Sequence, residues 1–386
     1  MKISDLVREH IRGLSAYVPG KPVRQAERES GIRCIKMASN ENPFGPSPLA
    51  IAAIRQAANS TNFYPDNDAN DLRCALAERH SVEPEQILVT DGSTALIDII
   101  ARSFLAPGLN AITSERSFIV YKMVTRSVGG TLIEVPMRDD HFDLNAILAA
   151  ITPETRIVYI ANPNNPTGTM FFADALDRFV ERVPQHVMIA LDEAYSDYAE
   201  FHARKKSEVY SRSIEHVKQG RENVVVLRTF SKAHGLAGLR VGYGMGDPKM
   251  LRYFAQVRTA FSVSGIGEAA ALAALRDEAH IRLSVERNAE GVAYLTPRLR
   301  ELGFRVVPTT ANFIYLETAE NPSELGRRVQ NEGCIIRSLV PWGIPNALRI
   351  TVGTPEQNRT LIESLKRVLK GLQADLKQRV PSVISP

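Results

Sequence analysis

Short apolar runs alternate with helical patterns from about Glu85 onward. Segments with helical spacing of apolar residues, such as Ala95–Phe104 and Ala173–Glu181, separate runs that are rich in β-branched residues. The clearest of these runs are Ile87–Val89, Arg156–Ile160, Val187–Leu191 and Val224–Leu227. Strands that are buried on both faces form continuous apolar runs, so the pattern predicts an α/β protein with a mainly parallel sheet.

The pattern changes in the last third of the chain. A long helical stretch from Ile266 to Leu302 is followed by short strand-like runs and two further helix patterns. The last helix is predicted to follow Thr354, with Pro355 at its first position. We therefore predict an N-terminal arm at 1–38 that joins a small domain, a large domain at 39–275 and a small α+β domain at 276–386. The tail Val380–Pro386 is predicted to fray.

Composition and charge exclude several classes of protein. A chain of 386 residues with 44% hydrophobic residues is long enough for a large and a small globular domain. The net charge of +4 and the absence of a dense basic run give no support for nucleic-acid binding. Three scattered cysteines, no apolar stretch of membrane length and no histidine cluster predict a cytoplasmic protein without a disulfide framework, membrane span or metal site.

Candidate chemistry lies just after the predicted strands, where ligands bind in open α/β sheets. Asp192 ends one apolar run, and Lys232 follows the next run in a Ser/Gly-rich loop with Arg240 eight residues further on. An isolated Asp at such a place is more often a helix cap, and an isolated lysine is usually solvated. Together, however, they offer an amine for an aldehyde, a guanidinium for a phosphate and a carboxylate.

Two turns add to this set. Gly92-Ser93-Thr94 opens a helix after a strand, where backbone N–H groups and the helix dipole attract phosphate. Asn162–Gly168 follows another strand, and an Asn amide there can donate to a ring hydroxyl. Each turn alone has an ordinary structural explanation. Pyridoxal phosphate, however, needs a bonding lysine, phosphate ligands and a carboxylate at its pyridine nitrogen together.

The chain resembles fold-type I aminotransferases, and most closely the histidinol-phosphate aminotransferase family. The resemblance covers roughly residues 15–365 in the order of the family. It rests on a set of short motifs: Ser39–Pro46, Tyr64–Asp66, Asn162–Gly168, Asp192–Tyr195, Ser231–Arg240 and Leu348–Gly353.

The resemblance implies a role for each matching residue at the cofactor. Lys232 is expected to bond covalently to pyridoxal phosphate and then to act as the general base. Asp192 is expected to pair with the pyridine nitrogen, while Tyr195 and Asn165 bind the phenolic oxygen of the ring. Phe118 is expected to stack on the ring, although a core phenylalanine is an alternative. The phosphate is expected to be held by Ser231, Arg240 and the backbone of Gly92, Ser93 and Thr94.

The resemblance also implies a homodimer and a substrate site. Tyr64 matches a tyrosine that reaches the cofactor phosphate of the neighbouring subunit. Arg349 matches an arginine that grips the anionic end of the substrate, and a guanidinium suits a carboxylate or a phosphate. Arg337, Tyr17 and Asn42 match further substrate contacts. The expected reaction exchanges an amino group between L-histidinol phosphate and 2-oxoglutarate.

Some positions depart from the family, and alternatives follow from them. An aromatic-amino-acid aminotransferase and a phosphothreonine-type decarboxylase share the cofactor residues, so both stay open. The segment Ala260–Ser264 reads Ala-Phe-Ser-Val-Ser where the family usually has Pro-Phe-Asn-Val-Asn, and the departures at Ser262 and Ser264 favour the aromatic alternative. The glycine run Val241–Gly246 suggests an NAD-dependent dehydrogenase, but its spacing is GxGxG and no acidic ribose ligand follows. A regulator built on the fold would need a DNA-binding segment, for which we find no room before Ser39.

Overall fold

The computed structural model describes residues 2–379, and the tail predicted to fray lies outside these residues. Contacts divide the chain into two compact units. The first unit contains the residues up to Tyr17, Phe44–Glu286 and Thr309–Ala311, and the second contains Val18–Pro43, Arg287–Pro308 and the residues from Asn312 onward. The predicted boundaries, at 38/39 and 275/276, differ by five and eleven residues from the unit boundaries at 43/44 and 286/287. The predicted domains stay a prediction.

The strands are numbered in chain order. They are β1 Ile35–Lys36, β2 Ile87–Thr90, β3 Asn110–Ser114, β4 Thr131–Val135, β5 Thr155–Ala161, β6 Met188–Asp192, β7 Val224–Thr229, β8 Gly242–Gly246, β9 Arg305–Val306, β10 Phe313–Glu317, β11 Cys334–Ile335, β12 Arg337–Ser338 and β13 Ala347–Thr351. The four apolar runs singled out in the sequence correspond to β2, β5, β6 and β7, with only Val187 outside its strand.

The α-helices are numbered in the same way. They are α1 Glu9–Arg12, α2 Val23–Ser30, α3 Pro48–Ala57, α4 Asn70–His80, α5 Ser93–Phe104, α6 Ile119–Ser127, α7 Leu144–Ala149, α8 Ala173–Arg182, α9 Ser196–Lys205, α10 Ser213–Lys218, α11 Pro248–Val257, α12 Gly265–Leu275, α13 Glu278–Glu301, α14 Pro322–Asn331 and α15 Pro355–Arg379. Short 3₁₀ turns lie between them, of which Val340–Trp342 matters below.

A seven-stranded sheet forms the centre of the first unit. Its strand order is β2-β8-β7-β6-β5-β3-β4, and only β8 runs antiparallel to its neighbours. Its central strands are buried along almost their whole length and pack with α5 and α8 in one hydrophobic core. The predicted α/β fold with a mainly parallel sheet is confirmed, and the carboxyl ends of the neighbouring strands β5, β6 and β7 lie at one edge.

The glycine run 242–246 forms β8 and belongs to the sheet. A side-chain Cβ at Gly242 would collide with the backbone of Gly92 and Ser93, and one at Gly244 would collide with Leu96 of α5. These glycines therefore allow the first turn of α5 to lie close against the sheet. They do not form the loop before a helix that a dinucleotide site requires.

The second unit contains an antiparallel sheet with the order β12-β13-β10-β9 and a separate parallel pair, β1 and β11. Leu316, Leu348 and Ile350 from this sheet pack against α13, α14 and α15 in a core of their own. Across the pair β12 and β13, Arg337 lies directly opposite Arg349. This register brings two predicted substrate residues to neighbouring positions.

The helical stretch predicted at 266–302 is broken into α12 and α13. The break lies at Arg276 and Asp277, where the Asp277 carboxylate accepts a hydrogen bond from the backbone N–H of His280 at 3.1 Å. An aspartate that accepts from the third residue after it begins a new helix, so the prediction of one continuous helix was wrong. Among residues 2–379, no helix is both long enough and apolar enough to cross a bilayer.

Candidate active site

Asp192 is the last residue of β6 and lies at the carboxyl edge of the large sheet. Its side chain is buried, with 7% of the residue exposed. Each carboxylate oxygen accepts a hydrogen bond: Oδ2 from the Tyr121 hydroxyl at 2.8 Å and Oδ1 from the backbone N–H of Ala194 at 3.2 Å. Two donors from different elements thus fix the orientation of the carboxylate.

Opposing effects act on the Asp192 carboxyl group. Burial raises its pKa, whereas the hydrogen bonds from Tyr121 and Ala194 and the positive charge of Lys232 lower it. A buried carboxylate that is stabilised by donors and a nearby cation is suited to pairing with another cation. A protonated pyridine nitrogen is such a cation.

Lys232 lies in the loop that follows β7. The loop folds back on itself, since the N–H of Gly235 donates to the Lys232 carbonyl and the N–H of Leu236 donates to the Phe230 carbonyl, both at 3.0 Å. The Lys232 amine lies 5.5 Å from the ring centroid of Tyr195, which directly precedes α9. The structure therefore brings these two predicted residues together, and Lys232 is close enough to Asp192 for its charge to act on that carboxyl group.

A polar cradle forms where α5 begins. The Arg240 guanidinium donates to the Ser231 hydroxyl at 3.1 Å. Gly92 precedes α5 with φ +107°, and a Cβ at this position would lie 2.5 Å from Arg240 Nη2. Only glycine lets the guanidinium lie this close to the backbone. A hydroxyl and a guanidinium thus lie beside the start of α5, where the first N–H groups belong to Ser93 and Thr94.

The turn Asn162–Gly168 is tied to the segment that carries Phe118. The Asn164 side-chain amide donates to the Arg116 carbonyl at 3.0 Å, and its carbonyl oxygen accepts from the Ser117 hydroxyl at 3.0 Å. Asn165, which is 8% exposed, lies in this turn. Phe118 directly precedes α6 and contacts Tyr121 edge to face, with ring centroids 5.7 Å apart.

In the second unit, two buried arginines lie side by side. Arg337 is 6% exposed and Arg349 is 5% exposed. Arg337 donates to the Val18 carbonyl at 2.6 Å, and Arg349 donates to the Ala38 carbonyl at 3.0 Å. Like charges directly opposite on paired strands repel each other, so this arrangement favours a bound anion.

Trp342 lies beside both guanidiniums. Its ring centroid is 5.8 Å from Arg337 Cζ and 5.3 Å from Arg349 Cζ, within the range of a cation–π contact. The residue ends the 3₁₀ turn that follows β12 and packs against the buried cluster that contains Tyr315 and Leu339.

The remaining predicted residues occupy different environments. Tyr17 in the first unit is 45% exposed, and Asn42 in the second unit is partly buried. Tyr64 is 83% exposed, and its ring lies 4.8 Å from that of Phe261, which is itself 45% exposed. An exposed pair of aromatic rings in contact is typical of a surface that meets another protein.

The residues of the first unit fit pyridoxal phosphate in charge and in chemistry. The space beside Gly92 that a Cβ would fill lies against Arg240, which suits a phosphate. Asp192 supplies a buried acceptor for a pyridinium group, and Lys232 supplies a primary amine for the aldehyde. The fit is therefore one of charge and of hydrogen-bonding chemistry between these side chains and the cofactor.

Comparisons with known proteins give the same assignment. The model of the family described as aminotransferase class I and II matches residues 32–365. The chain belongs to this aminotransferase family. The prediction of a pyridoxal-phosphate-dependent aminotransferase is therefore confirmed, and the dehydrogenase alternative is excluded.

Several relatives of this aminotransferase are histidinol-phosphate aminotransferases. The histidinol-phosphate aminotransferase of Moorella thermoacetica is 42% identical over 94% of this chain and 92% of its own length. That of Akkermansia muciniphila is 40% identical over 96% of this chain and 100% of its own length. The crystal structure of histidinol-phosphate aminotransferase from Sinorhizobium meliloti, in complex with pyridoxal-5'-phosphate, has a TM-score of 0.84 at 30% identity and covers 94% of this chain and 97% of its own.

The departure from the family pattern at 260–264 has a partly structural explanation. In this aminotransferase Ser264 caps α12, since its hydroxyl accepts from the N–H of Gly267 at 3.0 Å. Serine and asparagine cap helices about equally well, so the change at Ser264 preserves the cap. Ser262 has a buried hydroxyl without a hydrogen-bond partner among the described residues.

Sequence reasoning missed three side chains near the predicted site residues. Tyr121 is one helical turn after Phe118, and this spacing is the only signal for it in the sequence. Arg228 pairs with Glu193 at 2.8 Å and thereby joins β7 to the residue after Asp192. Trp342 carried no signal, because its position beside the arginines depends on the turn after β12.

Proposed function

We propose that this aminotransferase exchanges an amino group between L-histidinol phosphate and 2-oxoglutarate, giving imidazole acetol phosphate and glutamate. The assignment of this substrate rests on the chain's similarity to histidinol-phosphate aminotransferases, at 40–42% identity over 92–100% of their length. The reaction belongs to histidine biosynthesis. The cytoplasmic location stays a prediction.

Pyridoxal phosphate, when bound, supplies an aldehyde that condenses with amines and a ring that withdraws electrons. Lys232 would bond to that aldehyde, and its amine would act as the general base for the proton on the substrate carbon that carries nitrogen. Asp192 keeps the pyridine nitrogen protonated, which its buried and hydrogen-bonded carboxylate supports. Tyr195 and Asn165 hold the phenolic oxygen of the ring.

A second set of residues binds the cofactor phosphate and the face of the cofactor ring. Ser231, Arg240 and the N–H groups at Gly92, Ser93 and Thr94 bind its phosphate. The close approach of the Arg240 guanidinium to Gly92 and the direct Arg240–Ser231 contact support this role. Phe118 stacks on the ring, and the bonds from Asn164 to the neighbouring residues fix the segment that carries it.

The arginine pair binds the anionic groups of both substrates. Glutamate and 2-oxoglutarate carry two carboxylates, and histidinol phosphate carries one phosphate, so a site for both must accept either anion. Two buried guanidiniums on opposed positions, Arg337 and Arg349, supply enough donors for a bidentate contact with each. Tyr17 and Asn42 add further contacts to the substrate.

We propose that the working form is a homodimer. Tyr64 and Phe261 form an exposed aromatic pair, which costs less free energy when a second copy covers it. In this assembly Tyr64 contacts the cofactor phosphate bound to the partner subunit.

One alternative keeps the cofactor residues and changes the substrate. An aromatic-amino-acid aminotransferase is favoured by the departure at Ser262, where the family usually has an asparagine. A serine there removes an amide from the segment 260–264, and a site with fewer polar groups accepts an apolar ring more readily.

A half-reaction screen separates the two. The holoenzyme is mixed with histidinol phosphate, phenylalanine, tyrosine or glutamate, and the loss of the cofactor's visible absorption band is timed for each. We expect histidinol phosphate and glutamate to react fastest. Faster reaction with phenylalanine than with histidinol phosphate would assign the enzyme to aromatic amino acids.

A further inference from the structure

Tyr121 makes a buried hydrogen bond that none of the predicted roles uses. Its hydroxyl donates to Asp192 Oδ2 at 2.8 Å, and the tyrosine is completely buried. Hydrogen bonds to charged groups in a buried setting are stronger than bonds between neutral groups. The hydroxyl is therefore placed to act on the charge of Asp192.

The ring of Tyr121 has little freedom to turn away. It stacks on Tyr159 of β5 with centroids 4.7 Å apart and only 2° between the planes. Phe118 packs against it edge to face at 5.7 Å, at 90°. Because close-packed aromatic rings resist displacement, the start of α6 delivers the hydroxyl to a fixed point.

The two partners keep the protonation states that the bond requires. Burial and the neighbouring Asp192 charge raise the pKa of Tyr121, so the hydroxyl stays a donor throughout the neutral range. Burial raises the pKa of Asp192, and the bond from Tyr121 opposes that rise. Without this donor, the carboxylate would keep the hydrogen bond from the N–H of Ala194.

We propose that Tyr121 is a positioning residue for the cofactor ring: its hydroxyl keeps Asp192 charged and oriented for the pyridine nitrogen. The proposal rests on the proposed role of Asp192. On this proposal α6 has two functions, because Phe118, which directly precedes the helix, is also proposed to stack on the cofactor ring. If Tyr121 had only a structural role, packing of its aromatic ring would be sufficient and its hydroxyl would not be required.

The chain offers a matched pair of variants. Tyr121→Phe removes the hydroxyl on Asp192 and keeps the stacked ring. Tyr159→Phe removes a hydroxyl from the other, equally buried member of the same stack, and this hydroxyl is not among the donors to Asp192 described above. Both are measured for the dissociation constant of pyridoxal phosphate, the pH dependence of the cofactor's absorption band, kcat and the thermal midpoint.

We expect Tyr121→Phe to weaken cofactor binding and to lower kcat, together by about ten- to hundredfold, the range for a lost bond to a charged group. The absorption band should change its pH dependence in this variant alone. Tyr159→Phe should bind the cofactor within about twofold of wild type, because its hydroxyl is not bonded to the carboxylate. Equal losses in both variants would overturn the proposal.

A double-mutant cycle with Asp192→Asn tests the route of the effect. In the Asp192→Asn background the further change Tyr121→Phe should cost less than about twofold, since the charge it stabilises is absent. A full effect in that background would overturn the proposal. The outcomes also separate it from the role of Asp192. If Asp192→Asn itself leaves the absorption band and the rate unchanged, the role of Asp192 fails. If only Tyr121→Phe is silent, the Tyr121 proposal fails alone.

Discussion

The residues around Asp192 and Lys232, here called the cofactor region, differ in their electrostatics from Arg337, Arg349 and Trp342, here called the arginine region. In the first, the buried Asp192 carboxylate has a separate neutral donor for each oxygen, from Tyr121 and Ala194. In the second, two buried guanidiniums of the same sign, Arg337 and Arg349, are held directly opposite each other. One region stabilises a single charge before any ligand arrives, whereas the other concentrates charge that an anion must offset.

This difference indicates how each region responds to loss of a residue. A residue of the cofactor region supports every substrate equally, because all substrates react with the same cofactor. A residue of the arginine region acts only on substrates with a matching anion. We therefore expect losses in kcat that do not depend on the substrate in the first region, and substrate-dependent losses in kcat/KM in the second.

The largest effect is expected for Lys232→Ala. Loss of the general base should lower kcat by roughly a hundredfold to ten-thousandfold for every amino donor, with the fold retained. Borohydride reduction of the wild-type holoenzyme, followed by peptide mapping, should place the cofactor on Lys232. Lys249→Ala, an exposed lysine of the same unit, serves as the control and should leave kcat unchanged. A reduced adduct on another lysine would contradict the assignment.

Asp192→Asn should come next. The amide cannot stabilise a protonated pyridine nitrogen, so kcat should fall by at least about a hundredfold, the size expected when a buried charge loses its partner. The cofactor should stay bound, and histidinol phosphate and glutamate should suffer alike. Absorption spectra and kcat for both donors provide the measurement. Turnover near the wild-type rate would make Asp192 a structural cap.

Arg337→Ala should distinguish the two regions most directly. If Arg337 binds the substrate anion in a shielded site, kcat/KM for histidinol phosphate should fall roughly a hundredfold, which corresponds to about 2–3 kcal/mol. Phenylalanine, which has no distal anion, should lose far less. Steady-state kinetics with both donors tests this. Equal slowing of both would remove Arg337 from the substrate site and favour the aromatic alternative.

A complementation experiment asks whether the cofactor region draws on one chain only. Tyr64→Ala and Lys232→Ala homodimers should each be nearly inactive. A heterodimer of the two should regain about half of the wild-type activity, since one of its two sites contains both wild-type residues. The heterodimer is isolated with two affinity tags before assay. No recovery in the verified heterodimer would place Tyr64 outside the partner's site.

The smallest effect is expected for Trp342→Leu. Its ring lies between 5 and 6 Å from both guanidiniums, and the loss of a cation–π contact should raise KM for 2-oxoglutarate by about two- to fivefold. The value of kcat should change little. Trp342→Phe should have a KM for 2-oxoglutarate close to that of the wild type, because it keeps an aromatic face beside the guanidiniums. An unchanged KM in the Leu variant would show that the ring does not influence the arginines.

The sequence predicted the residues of the cofactor region more completely than the secondary structure of the rest of the chain. Buried strands and the turns after them are local patterns, so Asp192, Lys232 and Gly92 were found from neighbours within a few residues. The edge strand β4 was missed because much of it is exposed and its apolar run is short. The break before α13 was missed because Arg276 and Asp277 are acceptable inside a helix pattern, and only the capping bond ends it.

Contacts between distant segments set the other limit. Tyr121 and Asp192 are 71 positions apart, and nothing in the local pattern of either predicts their bond. The pairing of Arg337 with Arg349 requires the register of β12 and β13, which a hydrophobic pattern does not specify when the strand has only two residues. Family resemblance named both arginines, and the sheet register places them at opposed positions.

Trp342 is the single tryptophan of the chain, and this makes the arginine region visible by intrinsic fluorescence. Excitation of that ring reports on one place only, where two guanidiniums lie beside it. Binding of succinate or inorganic phosphate should shift or quench its emission in the unlabelled protein, and Arg337→Ala should weaken the response. Anion binding at the proposed substrate site can thus be tested by titration, without turnover and without an added chromophore.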